Sequence, residues 1–90
     1  MSRMKYVVVK RGENEEQIFI FPCAIDHDAF AEVLSYIKEG GRNWRREHAE
    51  PISAGFTDGL TCFGRSETLN LDSRVVADTA LLQGNHDRQQ

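Results

Sequence analysis

Three histidines, two cysteines and an arginine-rich run around a single tryptophan are the residues of this chain whose chemistry could reach beyond folding. His27, His48 and His86 fall in separate segments, and none pairs with another at the spacing by which two side chains meet one metal ion. His27 and Asp28 stand at the start of an apolar-periodic segment, where capping and the helix dipole already call for polar residues. His86 lies in a polar terminal stretch, and His48 sits beside arginines, where solvation suffices. No serine stands in a nucleophile-elbow pattern, and the glycines form no phosphate-cradling loop after a strand. The expectation is a protein without catalytic residues, cofactor or metal, and so not an enzyme.

Two segments could serve binding. In Gly64-Arg65-Ser66-Glu67, Arg65 could grip a carboxylate or phosphate through two donors, with Ser66 adding a third. The same residues are ordinary at a strand exit, where they bond to nearby backbone. In the run 42–46, Arg42, Trp44, Arg45 and Arg46 combine the residue types most enriched at interaction hot spots. They could also stack on or neutralise nucleic acid. Alternatively, Trp44 folds back over the core while the arginines stay wet. The candidate interaction residues are therefore Arg42, Trp44, Arg45, Arg46, Arg65 and Ser66, with a protein partner placed ahead of nucleic acid.

Charge supports that ordering. The chain carries a net −3 over 90 residues, which argues against general affinity for the phosphate backbone. The distribution is uneven: residues 1–11 hold Arg3, Lys5, Lys10 and Arg11 with no acid, or +4, while residues 12–40 amount to −6. Glu47 and Glu50 reduce the stretch 41–50 to +1 despite its arginines. No apolar run approaches the ~20 residues of a membrane span, and the start of the chain lacks the apolar stretch of a signal peptide. A cytoplasmic protein without membrane contact is expected, its two cysteines reduced and each buried as a small hydrophobe.

The elements that would position these residues follow from periodicity. Met4 to Lys10 and Gln17 to Cys23 predict a hairpin, and its apolar runs Tyr6 to Val9 and Ile18 to Phe21 put apolar side chains on both faces. Asp26 predicts the cap of a helix over 27–39 with Phe30, Val33, Leu34 and Ile37 on one face and Gly40-Gly41 as its stop. The next ten residues, Arg42 to Pro51, exceed the usual length of a connection. Ile52 to Phe56 and Leu60 to Gly64 predict a second hairpin about Asp58-Gly59. Small residues Ser53, Ala54 and Gly55 imply close approach of another backbone or a large side chain. Asp72 or Ser73 caps a second helix with Val76, Ala80 and Leu81 inward, which Gly84 ends before a frayed tail, 85–90.

The reading is one α+β domain over 1–84, an antiparallel sheet from two hairpins with two helices in the order β-β-α-β-β-α. If both helices share a face, an apolar face remains, and a homodimer through the sheet or its edge completes the structure. If they take opposite faces, a monomer is complete.

Ile52-Ser53-Ala54-Gly55-Phe56, Cys62-Phe63-Gly64-Arg65-Ser66-Glu67-Thr68-Leu69, Asp72-Ser73-Arg74 and the run from Asp78 to Leu82 form a pattern that resembles small uncharacterised proteins of tailed phages and bacterial prophages. Ile20-Phe21-Pro22 and His27 extend the resemblance more loosely, and Arg42 to Glu50 falls outside it. The resemblance implies a phage or prophage origin and a bacterial cytoplasm. It carries no reaction and no functional residues.

Overall fold

A computed structural model describes residues 3–12, 15–39, 43–46 and 49–88, the backbone alone for 37–39, 43–46 and 85–88. The chain is α+β, with an antiparallel sheet and two helices. Its four-stranded sheet runs β2-β1-β5-β6, built from β1 (Met4–Arg11), β2 (Glu15–Phe21), β5 (Glu50–Thr57) and β6 (Cys62–Phe63). Strand β1 lies between β2 and β5, and Tyr6, Val7, Val8 and Val9 are all fully buried. An unbroken apolar run is therefore required: a strand covered on both faces cannot alternate. The charge asymmetry is realised in the register, which sets Lys10 opposite Glu16 and Arg11 opposite Glu15.

The two faces hold separate cores. On one, Tyr6, Val8, Ile18 and Cys62 pack with Leu82 of α2 (Val75–Arg88). On the other, Val7, Val9, Phe21 and Ala54 pack with Phe30 and Leu34 of α1 (His27–Leu34) and with Leu69 and Leu71. These leucines belong to the hairpin of β7 (Arg65–Ser66) and β8 (Leu71–Asp72). The helices thus take opposite faces of the sheet.

Helix α1 is shorter than its periodicity predicts. Asp26 occupies the N-cap in extended conformation, but its side chain makes no capping bond. The helix stops at Leu34, whose carbonyl accepts a 2.7 Å bond from the Arg11 guanidinium. Tyr36–Glu39 then form β3, antiparallel to β4 (Asn43–Arg46), so Ile37 and Lys38 are strand residues. Val33, expected inward, is 63% exposed, and the buried residues of the helix are His27 and Ala31. The long connection expected over 42–51 is thereby mostly strand, β4 and the start of β5.

Other local expectations hold. A Cβ on Gly55 would lie 2.4 Å from the Phe63 carbonyl oxygen and 3.3 Å from the Tyr6 ring, the close approach that the small residues implied. Asp58 Oδ1 accepts the N–H groups of Leu60 and Thr61, both at 2.8 Å, and Gly59 takes φ +96° in the same turn.

Helix α2 turns a different face inward from the one its apolar residues suggest. Val76 is 85% exposed and Ala80 is exposed, whereas Asp78 and Leu82, four apart, are buried. The reason is polar: Asp78 Oδ2 accepts the Tyr6 hydroxyl at 2.6 Å and the Arg74 backbone N–H at 2.9 Å, while Oδ1 accepts Arg74 Nε at 3.1 Å. The Arg74 guanidinium also reaches Glu16 at 3.0 Å and Ser53 Oγ at 3.3 Å, joining α2 to β2 and β5. Ser73, expected as a cap, instead bonds the Tyr6 hydroxyl. The helix continues through Gly84 to Arg88, because a single interior glycine weakens a helix without ending it.

Removing the Asp78 carboxylate leaves the Tyr6 hydroxyl with Ser73 as its remaining partner and Arg74 with Glu16 and Ser53. Asp78→Ala is expected to destabilise the fold by about 2–4 kcal/mol and Tyr6→Phe by about 1–2 kcal/mol, measured by urea unfolding with the m-value held as a check. Equal losses would show that Arg74 contributes nothing to the carboxylate.

Candidate functional site

A cleft of about 350 Å³ opens on the α1 face and is lined by Lys5, His27, Phe56, Arg65, Glu67 and Thr68. Five elements or loops meet there. Lys5 of β1 and Phe56 of β5 are register partners. Arg65 stands on β7, and Glu67 and Thr68 belong to the loop that leads to β8. His27 is the first residue of α1.

The loop is built by its own side chains. Ser66 Oγ is buried and accepts the Leu69 N–H at 3.2 Å, Asn70 takes φ +54°, and Arg65 donates to Asn70 Oδ1 at 2.6 Å. Asparagine tolerates that conformation because its short amide bonds locally. Ser66 is thus a turn residue beside the cleft and not part of its lining, as the local reading of Gly64 to Glu67 expected. Thr68 Oγ1 accepts the Asp28 N–H at 3.2 Å, so the loop satisfies a donor at the start of α1.

His27 is buried, and its Nε2 lies 2.8 Å from the Gly55 carbonyl oxygen, so Nε2 carries the proton and donates. Its ring meets Phe21 and Phe56 edge to face at 5.4 and 5.8 Å. Burial holds the imidazole below its ordinary pKa; the Gly55 bond opposes that shift and the Lys5 charge adds to it. The ring is accordingly neutral at pH 7, a bonded core histidine with one edge on the cleft.

The cations of the cleft keep donor capacity. Lys5 Nζ donates to the Ile25 carbonyl at 2.9 Å and stands 3.8 Å from Asp26 Oδ1, on a side chain only 14% exposed. The Arg65 guanidinium is 3.8 Å from Asp72 Oδ1 on a half-exposed side chain. Arg3 lies over the Phe56 ring, 4.4 Å from its centroid.

Of the residues singled out from sequence, His27 and Arg65 are brought together here. Trp44, Arg45 and Arg46 are on β4, in a different two-stranded sheet. Arg42 and His48 lie outside the described residues. Lys5, Phe56, Glu67 and Thr68 were not signalled, because only the β1–β5 register and the β7–β8 loop bring them to one place. Among the described residues no group of His, Cys, Asp and Glu could hold a metal ion, and no helix is long and apolar enough to cross a membrane.

The cysteines differ from one another. Cys62 is buried, and burial, with the charge of Asp78, pushes its thiol up to about 11. Cys23, expected inside, is exposed because β2 ends at Phe21, and its thiol bonds the Arg3 carbonyl at 3.2 Å.

Comparison with protein-family models, with curated proteins and with solved structures finds no match.

Two outcomes follow from these environments. Iodoacetamide on the native protein is expected to alkylate Cys23 alone, with Cys62 reacting only after denaturation, as read by peptide mass spectrometry. His27, titrated by NMR, is expected to protonate below its ordinary value of 6.5. Because the unfolded chain then binds the proton more readily, the stability tied to His27 is full above 6.5 and is lost as pH falls toward the folded-state value. His27→Gln should flatten that part of the stability profile, and an unchanged slope would exclude His27 as its source.

Proposed function

We propose that this chain is a small accessory protein of phage or prophage type that acts by binding another protein, without catalysis, and that the β3–β4 ribbon is its contact element. One observation carries the reading: Tyr36–Glu39 and Asn43–Arg46 pair with each other and form a sheet apart from the four-stranded one. A two-stranded ribbon gains little stability by itself in water, and three or more strands or packing on a helix are usually needed. Such a segment is suited to gain its remaining contacts from a partner, by strand addition or through anchoring side chains. Trp44 stands opposite Lys38, Arg45 opposite Ile37 and Arg46 opposite Tyr36, so the hot-spot residue types are concentrated on one strand of it.

The resemblance of the segments from Ile52 to Phe56 and from Cys62 to Leu69 to tailed-phage proteins supports a bacterial host factor as the partner and the bacterial cytoplasm as the setting. Net charge favours protein over nucleic acid, since the run 41–50 is only +1 within a chain of −3.

A photo-crosslinking amino acid at position 44 of the full chain, produced in bacterial cells, is expected to trap a discrete protein. Arg45→Ala with Arg46→Ala should lower the trapped fraction by about fivefold or more. The same adducts from position 76, exposed on α2, or none from position 44, would overturn the proposal. Adducts with nucleic acid would transfer the ribbon to a nucleic-acid-binding role.

A further inference from the structure

The cleft on the α1 face is separate from the ribbon, and its lining has a chemistry of its own. Lys5 is the most unusual residue in it. A lysine side chain this buried normally has its three N–H donors taken up, yet among the described residues the Ile25 carbonyl takes one within hydrogen-bond distance, and the Asp26 carboxylate stands at 3.8 Å on a side chain 70% exposed. Arg65 arrives from another element and brings five N–H donors; Asn70 Oδ1 takes one at 2.6 Å, and Asp72 is 3.8 Å away. Two cations from β1 and β7 therefore face one concave space whose wall includes the Phe56 ring, with Arg3 stacked on that ring.

We propose that this cleft is a binding site for an oxyanion, a carboxylate or a phosphate, held by Lys5 and Arg65. The two residues divide the work by their chemistry. Arg65 supplies a planar fork suited to two oxygens, and Lys5 supplies a point charge from the protein side, where water is scarce. Phe56 and the edge of His27 give the cleft an apolar floor, which suits an anion carried on a larger ligand. Glu67, on the same rim, opposes a bare anion and sets the sign of a control. His27 reports occupancy: Lys5 disfavours its protonated form while Asp26 and Asp28 favour it, so a negative charge bound beside Lys5 shifts the balance toward protonation.

A free phosphate and the carboxylates of a peptide share this chemistry, so the titration has two arms, potassium phosphate and a short acidic peptide, each against potassium chloride at equal ionic strength. With the full chain, at least one arm is expected to give saturable shifts in the NMR amide signals of Lys5, His27 and Thr68, and the arm that saturates at lower concentration identifies the source. Arg65→Gln and Lys5→Met should each weaken that binding by about fivefold or more, and Glu67→Gln should strengthen it. The imidazole of His27 should titrate at higher pH in the bound form. Arg65 is half exposed, so its variant stays readable even if Lys5→Met fails to fold. Shifts that never saturate in either arm, or an affinity unchanged in Arg65→Gln, would overturn the proposal. Arg45→Ala with Arg46→Ala should leave the titration unaltered, which separates this site from the ribbon.

Discussion

The Tyr6 hydroxyl and the Asp78 carboxylate come from opposite ends of the chain and meet at 2.6 Å inside it. A carboxylate withdrawn from water without hydrogen-bond partners is strongly unfavourable, so α2 can lie on the sheet only where Asp78 finds its donors. That condition fixes the helix in rotation as well as position. With Asp78 inward, Leu82 one turn later enters the core, and Thr79 Oγ1 reaches the Cys62 N–H at 3.0 Å. Arg74, one turn earlier, stands at the sheet margin within reach of Glu16 and Ser53. Val76 is then turned to solvent, an exposure that its hydrophobicity alone would not allow. Burial also pushes the Tyr6 phenol well above its ordinary range, with the Asp78 bond adding to it, which keeps the proton on the tyrosine as donor.

The opposite face is fixed by a second polar contact, from His27 to the Gly55 carbonyl. Gly55 itself has no room for a side chain. The Phe63 carbonyl, two residues before Arg65, approaches so closely that a Cβ would overlap it. Thr68 then meets the Asp28 N–H, and α1 is held at its start by the loop of the β7–β8 hairpin. Helix α1 and the β7–β8 hairpin cover this face without closing it. The cleft is the space that this arrangement leaves between them.

Much of this was legible in the sequence where the cause was local. The unbroken run Tyr6 to Val9 implied a strand covered on both faces, the small residues before Phe56 implied a close approach, and Asp58-Gly59 implied its turn. What failed had a distant cause. Asp78 looks like a solvent residue until Tyr6 is known to stand over it, so apolar periodicity alone points the wrong face of the second helix inward. Ile37 continues the period of Phe30 and Leu34, and only pairing with Asn43–Arg46 makes its segment a strand. His27 and Arg65 could each be singled out by type, but their meeting with Lys5 and Phe56 is a matter of register, which composition and spacing do not contain.

The two faces therefore differ in what they leave undone. On the α2 face the network from Tyr6 to Glu16 joins acid to base, and among the described residues no buried side-chain nitrogen or oxygen lacks a partner. A surface whose polar groups answer one another internally has little to gain from a ligand, because any new bond must first break an old one. On the α1 face, among the described residues, Lys5 donates to one carbonyl and Arg65 to one amide, each with a carboxylate at 3.8 Å, and His27 donates to one carbonyl. N–H groups of Lys5 and Arg65 face a concave space there, beside a largely buried lysine side chain, where a charged acceptor gains more than on an open surface. The chain after α1 also leaves the main sheet to form its separate ribbon. Both faces carry an apolar core, and the cleft lies on the side where α1 and the β7–β8 hairpin cover the sheet.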